Sequence, residues 1–257
     1  MLFALKLFLT PVLTLLLTLA GRKWGQRVSG IFTGLPLNSG PISFLFALEY
    51  GNNFAAQAAV GSMGGMAAIS AFVFVYAYLA RRAAWSICAP LALAAFFIEV
   101  FVLDATKPGL LPTLLVTALQ IALVIRLLPQ TGIIANGIQP PKYDLPMRLV
   151  SATTFVLLIT ALGEILGPRL GGLAATFPIF ATVMSVFAQR HQGAPAAIQW
   201  LRGFANGMYA SVAFFLVIHT VITTQPLFVA YAAAIAAAFI VNGLMLHWTR
   251  QPLQAVE

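Results

Sequence analysis

Residues 29–66 read SGIFTGLPLNSGPISFLFALEYGNNFAAQAAVGSMGGM, and residues 171–208 read GGLAATFPIFATVMSVFAQRHQGAPAAIQWLRGFANGM. Adding 142 to any position in the first stretch gives its partner in the second without a gap. Between the pairs 15/157 and 75/217, 19 of 61 pairs are identical, and they include glycine, proline and glutamine positions that a shared apolar composition would not select. A repeat this long indicates two duplicated units rather than a solenoid.

The composition predicts that both copies lie in a membrane. Hydrophobic residues make up 61% of the 257 residues and charged residues only 8%, so the chain needs a lipid bilayer as its solvent. The net charge of +8 comes from basic residues in short connections between apolar segments, and it is interpreted as a topology signal, with no nucleic-acid partner. The single cysteine, Cys88, allows neither a disulfide framework nor a thiolate metal site.

Nine segments are apolar over the roughly 20 residues that a helix needs to cross a bilayer. The first is interpreted as a retained helix rather than a signal peptide, because its leucines and Thr18 recur in the middle of the chain. The nine segments are 2–20, 30–50, 53–80, 84–104, 109–128, 147–166, 171–190, 196–222 and 226–248.

The predicted fold is an all-α integral membrane protein of about nine transmembrane helices. Four helices belong to each copy, and the odd helix between them makes the second copy enter from the opposite face. We therefore expect a first four-helix repeat in 1–106, a linker helix and cytoplasmic loop in 107–146, and a second, inverted four-helix repeat in 147–257. If the second helix of each copy were a re-entrant hairpin, seven spans and parallel repeats would result.

The distribution of lysine and arginine predicts the orientation, because these residues concentrate on the cytoplasmic side. With the N-terminus outside and the C-terminus in the cytoplasm, only Lys6, Lys107 and Arg169 fall outside, while Arg202 is embedded. The residues at the cytoplasmic ends are Arg22, Lys23, Arg27, Arg81, Arg82, Arg126, Lys142, Arg148, Arg190 and Arg250.

The second copy resembles the GlpM-type family of small four-helix bacterial inner-membrane proteins. The resemblance rests on a Gly-Leu start, the step from Phe177 to Pro178, an alanine-rich restart near Ala196, and Gly207 in the next helix. It covers each half and implies two such units fused in opposite orientation in a bacterial-type inner (plasma) membrane. It implies no defined chemistry. The first copy differs in having Leu35 and a polar run after its proline.

Each copy places a proline about six residues into a membrane helix, at Pro36 and Pro178. Proline removes a backbone hydrogen bond, and interrupted helices in corresponding positions of two repeats indicate a transporter's binding site. The alternative is a structural kink filled by a neighbouring helix. The predicted substrate-binding residues are Pro36, Asn38, Ser39, Ser43, Pro178, Thr182, Ser185 and Arg202.

Arg202 is included because its partner in the first copy is Val60, so the duplicated scaffold does not require it. No carboxylate shares its predicted depth, and an embedded cation without a carboxylate favours an anionic substrate or a lipid phosphate. The alternative is that the side chain extends to the cytoplasmic headgroups.

Other polar residues are weaker candidates. Gln57, Gln199 and Asn206 are predicted to line a vestibule, with hydrogen bonding between helices as the alternative. Glu99, Glu49 and His191 are candidates for proton coupling, with interfacial or solvated positions as the alternative. These six residues complete the set of candidate site residues.

The predicted function follows from this set. Hydrolase motifs, metal-ligand spacings and a Walker A sequence do not occur in the chain, so we expect no enzyme, no metal and no cofactor. The first hypothesis is a small transporter, either a secondary transporter or a flippase-like permease, with alternating access at the repeat interface and an unidentified small-molecule or lipid substrate. The second is a non-transporting membrane subunit or scaffold that stabilises a partner. A homodimer is a further partner hypothesis.

Overall fold

The computed structural model describes residues 25–37, 39–130 and 168–250 continuously, with isolated positions between 12 and 23 and between 146 and 154. The regular secondary structure of these segments is helical, which confirms the predicted all-α class. The predicted spans 2–20 and 147–166 lie almost wholly outside the described residues. The helices are α1 Gln26–Thr33, α2 Ser39–Tyr50, α3 Asn52–Leu79, α4 Trp85–Thr106, α5 Leu110–Leu127, α6 Pro168–Ala175, α7 Ile179–Gln192, α8 Ala194–Val221 and α9 Leu227–Arg250.

Six segments of the described chain are long and apolar enough to cross a membrane, as expected for a multi-pass membrane protein. The predicted span 30–50 is not among them; it contains Asn38, which lies outside the described residues, and α1 and α2 on either side are each too short to cross a bilayer. The six segments are Asn52–Leu79, Trp85–Thr106, Leu110–Leu127, Leu170–Gln192, Ala194–Val221 and Leu227–Trp248.

The helices divide into a buried core and a lipid-facing periphery. Helices α3 and α8 and the segment 170–192 are mostly buried, whereas α4, α5 and α9 expose most of their apolar surface. Helix α5, for example, exposes Leu111, Leu115 and Leu119, one turn apart on one face. A row of exposed leucines is unfavourable in water but fits hydrocarbon. The buried core therefore consists mainly of the two long helices and the interrupted helices.

The duplication predicted from the sequence recurs in the helix bounds. Helix α6 begins and ends 142 residues after α1, α8 does the same relative to α3, and α9 begins 142 residues after α4. The turns before α3 and α8 are made by the partner glycines Gly51 and Gly193, with φ of 86° and 87°. Residues other than glycine are strained in this backbone conformation, which explains why both copies have glycine at this position.

The two helix breaks have the same backbone hydrogen bonds. Leu37 N–H donates to the Leu35 carbonyl at 2.7 Å, and Gly40 N–H donates to the Pro36 carbonyl at 2.8 Å. The partner residues in the break between α6 and α7 make the same two bonds at the same lengths. Each proline thus ends one helix and starts the next, as predicted, and the local sequence determines both turns.

Each copy packs its short first helix on the long helix of the other copy. A Cβ atom on Gly30 of α1 would collide with the backbone of α8 at Trp200. A Cβ atom on Gly172 of α6 would collide with the backbone of α3 at Ala58. Gly30 and Gly172 are partners, as are Trp200 and Ala58, so the two contacts are reciprocal. Reciprocal contacts are the pattern expected across a two-fold axis.

The equivalent helices α3 and α8 run antiparallel. At one end, the Ala56 carbonyl near the start of α3 lies 2.8 Å from Nδ1 of His219 near the end of α8. At the other end, the Tyr76 hydroxyl near the end of α3 donates to Oε1 of Gln189, shortly before α8 begins, at 2.9 Å. Contacts at both ends fix the relative direction of the two helices.

Helix α1 runs in the same direction as α8. Gln26 Nε2 at its start donates to Oε1 of Gln192 beside the start of α8, at 3.0 Å. Ser211, far along α8, donates through its hydroxyl to the Gly34 carbonyl after the end of α1, at 2.7 Å. Helix α2 turns back into α3 at Gly51. Helices α1 and α2 therefore have the same direction, as the two halves of one interrupted helix.

Helix α5 lies between the two copies in the sequence and packs on the long helix of each. Thr117 and Gln120 donate to backbone carbonyls of α3, at Met63 (3.1 Å) and Ala67 (3.2 Å). Tyr209 of α8 donates to the Ala118 carbonyl at 3.2 Å. The helix that was predicted as a linker is thus held to both α3 and α8 by polar contacts.

Substitution Gly30→Ala tests the close packing of α1 on α8. The added methyl group collides with backbone atoms, which cannot move as a flexible side chain can, so we expect a destabilisation of about 1–3 kcal/mol, in the range of overpacked cores. Gly243→Ala is the control, because a Cβ atom there meets nothing within 4 Å. Thermal unfolding of the purified protein in detergent measures both. Equal stability of the two variants would contradict the packing.

Candidate functional site

The two helix breaks face one small cavity where α3 and α8 cross. Its volume is about 50 Å³, which is room for one or two water molecules or a small ion. This central cavity is lined by both breaks together with the partner residues Met66 and Met208. Its lining is Thr33, Gly34, Leu35, Leu37, Ser39, Met66, Ile69, Ala175, Thr176, Phe177, Pro178, Ile179, Phe180, Ala181, Phe204, Met208 and Ser211.

Four helix ends meet at the central cavity. The C-terminal ends of α1 and α6 and the N-terminal ends of α2 and α7 line it. Helix C-termini carry partial negative charge and N-termini partial positive charge, so interrupted helices can bind ions of either sign at membrane depth. None of the described residues that line the cavity is charged, which leaves helix dipoles and hydroxyl groups as its main electrostatic features.

The hydroxyl groups at the central cavity are mostly bonded to the backbone. Thr33 donates to the Ser29 carbonyl at 2.8 Å, and Thr176 donates to the Leu173 carbonyl at 2.7 Å. Both carbonyl groups lie near the ends of α1 and α6, and the Leu173 carbonyl also accepts the backbone N–H of Thr176 at 3.2 Å. Each hydroxyl oxygen keeps lone pairs as an acceptor. The cavity therefore offers acceptor oxygens and helix ends to an occupant.

Two of the residues that the sequence predicts for the binding site line the central cavity, namely Ser39 and Pro178. Pro36 lies on the far side of its break, in a separate groove described below. Asn38 lies outside the described residues. The predicted site is thus only partly brought together at the cavity.

The other predicted hydroxyl groups make hydrogen bonds elsewhere. Ser43 is buried and pairs with the Tyr231 hydroxyl of α9 at 2.8 Å. Thr182 donates to the Pro178 carbonyl at 2.8 Å, and Ser185 donates to the Ala181 carbonyl one turn before it. None of the three is among the residues described at the central cavity. Their structural role is to satisfy backbone and side-chain groups within the core.

The predicted vestibule and proton-coupling residues are dispersed. Gln57 and Glu49 are exposed near the turn between α2 and α3, and Glu99 is half-buried in α4. Gln199 is half-buried in α8, and His191 is half-buried at the end of α7. The remaining residue, Asn206, donates to the Arg202 carbonyl of its own helix at 2.7 Å. None of these six lines the central cavity.

Arg202 makes its hydrogen bonds at the end of α5 rather than at a carboxylate. Its Nη2 donates to the carbonyls of Leu128 at 2.6 Å and Pro129 at 3.4 Å. Carbonyls at a helix C-terminus lack partners within the helix and carry partial negative charge, so they are good acceptors for a guanidinium. Arg202 thus connects α8 to α5, away from the central cavity.

The charges of the described segments separate along the bundle. Hydrogen bonds place the ends of α3, α5 and α7 beside the starts of α1 and α8. We call this the basic end; the opposite end contains the carboxylates Glu49, Glu99 and Asp104, together with the basic residues Lys107 and Arg169. The arginines of the basic end are Arg27, Arg81, Arg82, Arg126, Arg190, Arg202 and Arg250.

An apolar groove of about 640 Å³ lies between α2, the end of α8, and α9. It shares Leu35 and Leu37 with the central cavity, so the two spaces meet at the first break. Exposed side chains of α9 form its rim, including Phe228 and Phe239. We call it the lateral groove. Its lining is Leu35, Pro36, Leu37, Gly40, Pro41, Phe44, Phe214, Phe228, Tyr231, Ala232, Ile235, Ala238 and Phe239.

Aromatic residues occupy the equivalent place beside the second break, next to α4. Leu35 and Ala238 of the lateral groove have Phe177 and Phe96 as their partners. The rings of Phe96 and Phe177 meet edge to face, with centroids 5.7 Å apart, and Phe97 lies 6.0 Å from Phe177. Side-chain size therefore distinguishes the two copies at this position.

Sequence reasoning missed several residues of the cavity. Thr33, Thr176 and Ser211 were not selected, because hydroxyl groups near a helix end are frequent and only their facing direction distinguishes them. Met66 and Met208 did carry a signal, since they are an identical pair within the repeat. Tyr231 was missed because its partner in the first copy is Ala89, which gives no indication of a polar contact.

No protein-family model, curated protein or solved structure matches this chain. The resemblance to the GlpM-type family stays a prediction from the sequence.

A double-mutant cycle on Ser43→Ala and Tyr231→Phe tests whether the hydroxyl pair joins α2 to α9. We expect a coupling of about 0.5–1.5 kcal/mol in unfolding free energy, as for buried hydrogen bonds between membrane helices. Thr220→Val combined with Tyr231→Phe is the control pair, for which we expect no coupling. The Thr220 hydroxyl is exposed and bonds only within its own helix. Additive effects of the two substitutions would show that the bond does not contribute.

Proposed function

We propose that this protein is a small membrane transporter, either a secondary transporter or a flippase-like permease, that works by alternating access between two inverted repeats. The observation that carries the proposal is the central cavity, at which two helix breaks with the same backbone hydrogen bonds face each other. Interrupted helices bring unpaired backbone groups and helix dipoles to membrane depth, where they can replace the hydration of a substrate. The complete chain would then contain nine spans, with α5 joining two four-helix repeats.

The direction of the helices supports the inverted arrangement. Helices α3 and α8 are equivalent in the repeat and antiparallel in space, as the contacts of Tyr76 and His219 indicate. Equivalent helices with opposite directions are related by an axis perpendicular to both, which for membrane-crossing helices lies in the membrane plane. In parallel repeats, α3 and α8 would have the same direction.

The separation of charges supports an orientation with the basic end in the cytoplasm. Helix α9 ends there, so the C-terminus would be cytoplasmic, and the proposed first helix would begin outside. A bacterial-type inner membrane is the proposed location, on the basis of the resemblance described above.

The proposed motion is a rotation of one repeat against the other around the central cavity. Glycines allow α1 to slide on α8 and α6 on α3, because backbone-to-backbone contact presents a smooth surface. An opening at the basic end would be matched by closure at the opposite end, since the contacts of the two copies are reciprocal. The breaks would stay at the middle throughout.

The proposed substrate is anionic or lipid-like. The arginines of the basic end would attract an anionic group, and the lateral groove has the apolar lining that a hydrocarbon chain requires. Because the groove and the cavity share Leu35 and Leu37, an amphiphile could place its polar group at the first break and its chain in the groove.

A non-transporting scaffold is the second candidate, and the small size of the central cavity favours it. A volume of about 50 Å³ is far below that of ordinary small-molecule sites. In that case the breaks would be packing features, and the exposed apolar faces of α4 and α5 would contact a partner protein.

Thiol accessibility distinguishes the two candidates. Single cysteines at Ser39, Thr176 and Ser211, in a Cys88→Ser background, are treated with a membrane-impermeant reagent from each side of the membrane. A transporter predicts labelling of these cavity positions, with some positions reached from both sides. Cysteines at the exposed positions Arg82 and Lys107 are the controls for the two ends. If the controls react and the cavity positions do not, the transport proposal is wrong.

Substitution Ala238→Phe tests the lateral groove by giving the second copy the residue that the first copy has as Phe96. We expect the ring to fill the groove and to slow translocation of a fluorescent anionic lipid in reconstituted vesicles by about tenfold or more, equivalent to about 1.4 kcal/mol in the barrier. Ala236→Phe is the control, because Ala236 is exposed on the same helix and does not line the groove. Equal rates for wild type and Ala238→Phe would exclude the groove as the path of the chain.

A further inference from the structure

Two arginines lie side by side at the basic end without a carboxylate. The backbone of Arg27 in α1 packs against Gly203 of α8, and Gly203 directly follows Arg202. The two side chains thus leave neighbouring helices at the same depth, close enough for their charges to repel each other. Both are half-buried. Two adjacent cations in a partly desolvated position are unfavourable unless an anion compensates them.

The described part of the chain contains no such anion. The carboxylates Glu49, Glu99 and Asp104 belong to the opposite end of the bundle. Arg27 has a buried Nε–H that donates no hydrogen bond. Both described bonds of Arg202 use Nη2, so its Nε and Nη1 are available to a ligand. Buried donors are nearly always hydrogen-bonded. The unbonded Nε–H of Arg27, beside the second cation Arg202, therefore indicates a missing acceptor.

Helix ends add to the positive potential. Helix α1 starts after Gly25 and α8 starts after Gly193, and neither has a side chain that caps its first N–H groups. The Gln26–Gln192 hydrogen bond holds the two starts together at the basic end. Uncapped helix N-termini attract anions through their free N–H groups and their dipoles.

We propose that Arg27 and Arg202 form a binding site for a phosphate group, between the start of α1, the first turns of α8 and the end of α5. A phosphate has enough acceptor oxygens for two guanidinium groups at once, and its charge offsets their repulsion. The group would belong either to a lipid headgroup of the cytoplasmic leaflet or to a free phosphate compound. The partner of Arg202 is Val60, so the opposite end of the bundle lacks an equivalent pair.

This site would hold the anionic group of the substrate near the cytoplasmic face, and to that extent it rests on the proposed function. Binding can be measured without transport. If the protein binds phosphate at these residues but does not transport, the site is confirmed and the proposed function is wrong. If it transports but does not bind phosphate at these residues, the proposed function is confirmed and the site is wrong.

The test is native mass spectrometry of the purified full chain, titrated with phosphatidylglycerol and, separately, with phosphatidylcholine. Wild type should retain phosphatidylglycerol more strongly, and Arg27→Gln should weaken this binding by about tenfold or more, as expected for the loss of a charge-assisted hydrogen bond. Arg82→Gln, which removes an exposed arginine at the same end, should bind as wild type does. Arg27 has no described hydrogen bond to lose, so this variant should keep its fold, as gel filtration would verify.

Competition with inorganic phosphate separates the two sources of the group. Displacement of phosphatidylglycerol by millimolar phosphate would assign the site to free phosphate compounds, and its absence would assign the site to a lipid headgroup. Equal retention of phosphatidylglycerol by wild type, Arg27→Gln and Arg202→Gln would overturn the proposal.

Discussion

The fold depends on the direct contact of helix backbones at glycine, α1 on α8 and α6 on α3. A helix interrupted by proline has backbone groups that lipid cannot satisfy, so it is stable in a membrane only when protein surrounds the break. The glycines allow that: at Gly30 and Gly172 a single added carbon would meet the backbone of the opposite copy. The helix breaks therefore depend on the close packing, because the glycines allow the neighbouring helices to bury the breaks.

The same contacts explain why the fold needs both copies. Each short helix finds its closest backbone neighbour in the other copy, so a single unit would leave α1 or α6 without a partner. Helix α5 then packs on both long helices through Thr117, Gln120 and Tyr209. Duplication and reciprocal packing are thus physically linked, and α5 contacts the long helix of each copy.

Much of this fold could be predicted from the sequence, because its determinants are local. The gapless offset between the copies predicted a duplicated unit, which the equal offset of the helix bounds matches, and the prolines predicted the two breaks. The site was less predictable, because it depends on which way each half-helix faces after the break. Ser43 and Ser185 are at the right depth but turn toward Tyr231 and the Ala181 carbonyl. The acceptor of Arg202 could not be predicted either, since it is the end of a helix distant in sequence.

The two copies have kept their backbone and changed their side chains at specific places. Arg202 corresponds to Val60, and the rings of Phe96 and Phe177 correspond to Ala238 and Leu35. The first change affects charge at the basic end, and the second affects space beside a break.

The opposite directions of α3 and α8 can be measured at one pair of equivalent residues. Asn53 and Pro195 are partners in the repeat, and both are exposed at the start of their long helices. Single cysteines at the two positions, in a Cys88→Ser background, would be labelled in intact cells and in inverted vesicles with an impermeant reagent. The inverted arrangement predicts labelling of Asn53→Cys from outside and of Pro195→Cys from the cytoplasm. Labelling of both from the same side would contradict it.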